Sequence, residues 1–125
     1  MHGKLVVLVT CANASEAERI AQALVEERLA ACVNIHASVR SIYRWQGKVE
    51  RAREVPLTIK TSGRFFPRLE RRIRELHRYD TPEIVALPVA TGSRDYLLWI
   101  EASLAPTRRA GKRRPRGRRP GIVRS

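Results

Sequence analysis

Val33-Asn34-Ile35-His36-Ala37-Ser38-Val39-Arg40-Ser41-Ile42-Tyr43-Arg44-Trp45-Gln46 alternates apolar and polar residues almost without a break. Successive side chains of a strand point to opposite faces, so a period of two predicts one long, half-buried strand. Val33, Ile35, Ala37, Val39, Tyr43 and Trp45 fall on one side, and only Ile42 is out of phase. Gln46-Gly47-Lys48 supplies a hairpin turn, after which Val55, Leu57, Ile59 and Thr61 carry the return strand. Pro56 has no N–H to give to a ladder, so it is expected at a bulge or on an edge.

Upstream, residues 5–11 form a continuous apolar run, the pattern of a central strand buried on both faces. Asn13 and Ser15 then mark a helix start, and Ser15 with Glu18 has capping-box spacing. Ala17, Ile20, Ala21, Leu24, Val25 and Leu29 recur at helical intervals, which leaves Glu16, Arg19, Gln22, Glu26 and Glu27 facing away. Downstream, Phe66, Leu69, Ile73 and Leu76 form the seam of a second helix over residues 63–77, with Pro67 tolerable only in its first turn. Arg78-Tyr79-Asp80-Thr81-Pro82 breaks that helix, and residues 83–89 read as a further strand. Gly92-Ser93 opens a last short helix whose apolar surface is Tyr96, Leu97, Trp99, Ile100 and Leu104. The order β-α-β-β-α-β predicts an α+β, ferredoxin-like fold: an antiparallel four-stranded sheet with helices on one face, plus an additional C-terminal helix. Long hairpin edges in so small a domain invite pairing with another chain.

The 125 residues suffice for one domain, and 43% are hydrophobic, enough for a globular interior. No apolar run approaches the roughly 20 residues that cross a bilayer, and the N-terminal stretch lacks a secretory pattern, so the cytoplasm is expected. Cys11 and Cys32 stand too far apart for a close-spaced zinc motif and read as free, buried thiols. The net charge of +13 is concentrated at one end. Nine of the 25 Lys and Arg lie in residues 107–125 with no acid among them; the other 16 against all 12 acids leave residues 1–106 at +4. A domain over 1–105 and a basic, disordered tail over 106–125 are therefore expected. The tail's chemistry is weak, salt-sensitive polyanion or nucleic-acid contact.

Several ordered blocks carry a resemblance: Glu27-Arg28-Leu29-Ala30-Ala31-Cys32-Val33-Asn34, Ser41-Ile42-Tyr43-Arg44-Trp45-Gln46-Gly47-Lys48, Ile59-Lys60-Thr61 and His77-Arg78-Tyr79-Asp80-Thr81-Pro82-Glu83-Ile84. With Leu87-Pro88-Val89 and Tyr96-Leu97-Leu98-Trp99-Ile100, the chain resembles the CutA divalent-cation tolerance family over nearly all of residues 4–104. The resemblance implies a ferredoxin-like homotrimer joined through its long strands and a role in copper and divalent-cation tolerance; it implies no well-established enzymatic activity, and none is expected. Copper ligands in that family are a strand-one cysteine and adjacent histidines before a Tyr-x-x-Pro-Glu block. Here Val9 stands at the cysteine position with Cys11 two residues on, Leu76 replaces one histidine, and Arg78 replaces the usual proline after His77.

His77 is the leading metal candidate, with Cys11 as partner, because imidazole and thiolate suit copper or zinc. The competing reading of His77 is a residue that ends a helix. His2 and His36 rank lower. Lys60, Tyr79, Glu83 and Trp45 are candidates to line a cleft between subunits, either as interface packing or as a small-anion pocket by analogy of fold with PII-type signalling trimers. No nucleophile–base pair or Gly-rich phosphate loop stands out. The reading is a cytoplasmic homotrimer that needs no resident cofactor and takes copper(II) or another divalent cation as ligand.

Overall fold

The computed structural model describes residues 3–106; His2 and the basic segment 107–125, with the tail and polyanion expectations placed on it, lie outside the described residues. Five strands and three helices follow in the order β1 (Lys4–Cys11), α1 (Ala14–Glu26), β2 (Cys32–Ile35), β3 (Val39–Trp45), β4 (Lys48–Ser62), α2 (Phe66–Leu76), β5 (Ile84–Pro88) and α3 (Arg94–Ser103). A short 3-10 turn, Gly63–Phe65, leads into α2 and puts Pro67 in its first turn, where a missing N–H costs nothing. The sheet runs β2-β4-β1-β5, with β3 also paired to β4 and every pairing antiparallel. This is the ferredoxin-like arrangement with its second strand divided.

That division corrects the expectation of a single strand over 33–46. Ile35 stands opposite Leu57 and Val39 opposite Glu54, so residues 36–38 face only residues 55 and 56. One extra residue in one strand is a bulge. It sits across from Pro56, whose carbonyl still accepts from the His36 N–H at 3.0 Å. Directly opposed residues share a face, so the bulge reverses the phase. Val33 and Ile35 align with buried Ile59 and Leu57 on the helix side. Val39, Tyr43 and Trp45 align instead with Glu54, Glu50 and Lys48 on the opposite side. Beyond the sheet, β3 and β4 continue as a two-stranded ribbon closed by Gln46-Gly47. Both turn residues have positive φ, 50° and 82°, as a tight hairpin matching the strand twist requires.

Further expectations change. Residues 5–11 are not covered on both faces within one chain: Val7, Val9 and Cys11 are buried under the helices, while Val6 and Leu8 on the other face are only partly covered. Asn13, not Ser15, caps α1, accepting from the Glu16 N–H at 2.8 Å, and Glu16 turns inward rather than away. Cys32 is also only partly buried.

The core lies between the sheet and α1 and α2. Val7, Val9, Leu57 and Ile59 meet Ile20, Leu24, Leu69 and Ile73, and Ile100 and Leu104 close it from α3. Burying one such side chain contributes about 1.5–3 kcal/mol. Leu57→Ala is expected to lose about 3 kcal/mol by leaving a cavity between three strands. Gly47→Ala, at φ +82°, is expected to lose about 1 kcal/mol from backbone strain alone. Denaturant unfolding at fixed protein concentration checks both.

Candidate functional site

The end of α2, the end of β1 and the first turn of α1 converge on a buried polar group. His77 is the C-terminal cap of α2, its N–H bonded to the Ile73 carbonyl at 2.8 Å. The imidazole does not cap its own helix. It reaches β1, where Nε2 lies 2.7 Å from the Thr10 carbonyl, and Nδ1 receives the Tyr79 N–H at 3.1 Å. A carbonyl only accepts and an amide N–H only donates, so these partners assign the neutral tautomer with its proton on Nε2.

Glu16, 2% exposed, takes the Ala12 N–H on Oε1 at 2.7 Å and the Arg78 N–H on Oε2 at 2.6 Å. Its Oε2 lies 3.9 Å from His77 Nδ1. Cys11 completes the group: one ligand-type atom from each of Cys11, Glu16 and His77 lies within 4.8 Å of the others. Burial pushes the Cys11 thiol up to about 12, the Glu16 carboxylate adds to this, and Arg19 opposes it. The structure thus brings the two sequence candidates together and adds a third donor that helical periodicity had turned outward. The missed signal was Asn13-x-x-Glu16, itself at capping-box spacing.

Tyr79 joins this group to a cleft on the open side of the sheet. Its ring packs on His77 at 4.8 Å between centroids, and its hydroxyl donates to Glu54 Oε2 at 3.0 Å. Burial, then the bond to Glu54, holds the phenol at about 12. The cleft, ≈ 560 Å³, is lined by Tyr43 and Trp45 from β3, Glu54 from β4, and Tyr79, Asp80 and Glu83 from the loop after α2. Trp45, Tyr79 and Glu83 all line this cleft. Lys60 is not among them. It hydrogen-bonds Asn34 and pairs with Val6 in the ladder, four residues and roughly 13 Å along β1 from Thr10 at the cleft. The proposed Lys60–Glu83 pair does not form within one chain. His36, also remote, bonds Thr58 Oγ1 at 2.6 Å.

An antiparallel, ferredoxin-like sheet with a divided second strand and an extended ribbon makes this a small α+β protein. Residues 5–103 match the family model described as CutA1 divalent ion tolerance protein, and the chain belongs to that family. It is 55% identical over 95 residues to the "Divalent-cation tolerance protein CutA" of Thermus thermophilus, covering 76% of this chain and 92% of that one. The "Protein CutA, chloroplastic" of Arabidopsis thaliana is 41% identical over 99 residues, 79% of this chain and 54% of the plant protein. The chain likewise spans about half the length of its mouse and human relatives, 52% and 51%. The solved T. thermophilus Cut A1 structure superposes with a TM-score of 0.80 at 51% identity, covering 82% of this chain and 99% of that one. The family name describes tolerance of divalent ions rather than a catalysed reaction. No helix among the described residues is long and apolar enough to cross a membrane.

The raised thiol and phenol set an alkaline limit on stability. Unfolded, a thiol ionises near ~8.5 and a phenol near ~10. Folded, both keep their protons to about 12. Above the unfolded values the folded state binds more protons, so stability is fully present below about pH 8 and falls as pH rises towards 12. Cys11→Ala is expected to move the onset of that fall to about pH 10, read from denaturant midpoints across a pH series.

Proposed function

We propose that this chain is a cytoplasmic, non-enzymatic homotrimer that serves divalent-cation tolerance and binds copper(II) at Cys11, Glu16 and His77. One observation carries the metal reading: among the described residues, these are the three donors that lie within reach of a single ion. A sulfur, a nitrogen and a carboxylate oxygen form a donor set suited to copper or zinc. Every donor has another partner or a proton, so binding requires the Cys11 proton to leave and His77 to release Thr10 or Tyr79. Metal uptake here is therefore a competition with protons.

The trimer reading is supported by what one chain leaves uncovered. Val85 and Leu87 of β5 and Ile42 and Val49 of the ribbon are large, apolar and about half exposed or more. Val85 and Leu87 share the open face with Val6 and Leu8. A contiguous apolar face on a sheet of this size is the mark of an interface. An anion in the cleft is the less favoured alternative, because Glu54, Asp80 and Glu83 line it and Lys60 lies elsewhere. Polyanion contact through residues 107–125 rests on their nine cations alone. Its signature is steep loss of binding with salt.

Calorimetric titration of the full chain with copper(II) is expected to saturate at one ion per chain and to lose that event in Cys11→Ser and in His77→Ala. Apparent affinity is expected to rise about tenfold per pH unit between about pH 6 and 8, because one proton leaves on binding. Identical heats in wild type and both variants would reduce the group to a structural network. Light scattering is expected to give three times the chain mass, and Val85→Asp with Leu87→Asp to give single chains, since an unpaired carboxylate in an apolar interface costs several kcal/mol.

A further inference from the structure

We propose that the outer face of α2 is a docking surface for the phosphate backbone of duplex nucleic acid, contacted by Arg68, Arg71, Arg74 and Arg78. This surface shares no side chain with the copper group. Leu69 and Ile73 turn the inner side of α2 to the core. At about 100° per residue, Arg71 stands opposite them, with Arg68 and Arg74 about 60° to either side. All three are exposed, as is Arg78, one residue past the C-cap. A trimer joined through the open sheet face, where Val85 and Leu87 lie, leaves this helical side in solvent.

The cations are in surplus here. Residues 66–78 hold five arginines and two acids, Glu70 and Glu75. Arg72 takes Glu75 at 3.0 Å and Glu27 besides. Among the described residues, none of Arg68, Arg71, Arg74 and Arg78 stands within ion-pair distance of a carboxylate. Over Ala14–Glu26, α1 has the opposite balance, three glutamates to one arginine. Charge is thus sorted by helix, whereas a surface kept only for solubility mixes both signs. That one arginine of α1, Arg19, reaches the Leu76 carbonyl at 3.3 Å and adds to the basic end of α2. Arg74, in the last turn, suits the helix dipole; Arg68 does not. The first turn of α2 carries Arg68 and no acid, the reverse of what the dipole favours. Arg68 is held instead over the Phe65 ring, 5.0 Å from its centroid.

The chemistry of the face selects the partner. Arginine forks match phosphate oxygens in pairs, which a lysine point charge does not. The other exposed residues from 66 to 78 are Pro67 and Glu75, neither aromatic nor a large aliphatic. Amphipathic helices grip lipid through buried Trp, Phe or Leu, and this face offers none. Single strands are held by stacking on rings, also missing from it. A duplex backbone asks only for cations at the surface, and such contact carries no sequence preference.

The test is fluorescence anisotropy of a labelled DNA duplex of mixed sequence, titrated with full-length protein from about 50 to about 200 mM salt. Two triple variants are compared with wild type. One carries Arg68→Gln, Arg71→Gln and Arg74→Gln; the other carries Arg108→Gln, Arg109→Gln and Lys112→Gln. Wild type is expected to bind, with log affinity falling linearly against log salt. The α2 variant is expected to flatten that slope by roughly 0.9 per lost phosphate contact and to bind roughly tenfold or more weakly. Its three positions are exposed, so its light-scattering mass and denaturant midpoint are expected to match wild type. Failure of wild type to bind the duplex would overturn the proposal, as would a wild-type slope in the α2 variant. Loss confined to the second variant would overturn it and assign the contact to residues 107–125 alone. An α2 variant that loses phosphatidylserine vesicles but keeps the duplex would overturn it in favour of a lipid surface.

Discussion

Pro56 sits in the middle of the longest strand, where an ordinary residue would offer an N–H to the ladder. Opposite it the neighbouring strand carries one residue too many, and that surplus turns the rest of the hairpin over. Below the bulge, Val33 packs against the helix-covered core and Ile35 lies on the same face. Above it, Tyr43 and Trp45 are turned to the open face, the one that also carries Glu54. Without the phase change the two aromatics would lie on the helix side of the ribbon, and the cleft would have lost one wall. The apolar core and the cleft are thus two consequences of one register shift.

Glu16 is the second costly element. A carboxylate removed from water needs strong partners, and this one takes two backbone N–H groups that would otherwise be orphans, from Ala12 before α1 and Arg78 after α2. It also sits in the first turn of α1, where the helix dipole favours negative charge. One side chain therefore ties the entry of the first helix to the exit of the second. His77 performs the matching task between α2 and β1 through the Thr10 carbonyl. Both are structural before they are anything else.

The element order, the hairpin, the place of Pro67 and the inward set Val55, Leu57, Ile59 and Thr61 were legible in the sequence, because periods of two and 3.6 report burial directly. The bulge was not. Ala37 and Ser38 fit either phase of the alternation, and only the single dissent of Ile42 hinted that the pattern had slipped. Glu16 was hidden for a different reason: periodicity sorts charged residues outward, and it has no way to register a carboxylate whose partners are backbone groups 4 and 62 residues away. Cys11 and His77 were legible as chemistry through the resemblance, but their approach depends on where a loop after α2 returns to β1. The apolar run 5–11 was read as buried twice over. One chain buries it once, and the surplus hydrophobicity of Val6 and Leu8 marks a face that a single copy does not cover.

The segment from His77 to Glu83 touches both sites at once. Tyr79 gives its N–H to His77 and its hydroxyl to Glu54, so one residue holds the imidazole's tautomer and one wall of the cleft. A substitution there disturbs both. Cys11 and Trp45 are the informative positions, because each belongs to one site only: the thiol is buried beneath the sheet, and the indole stands on the ribbon with half its surface in water. The physical division follows the faces of the sheet. Soft donors meet under the helices, where water is excluded, and aromatic rings and carboxylates meet on the opposite side of the sheet.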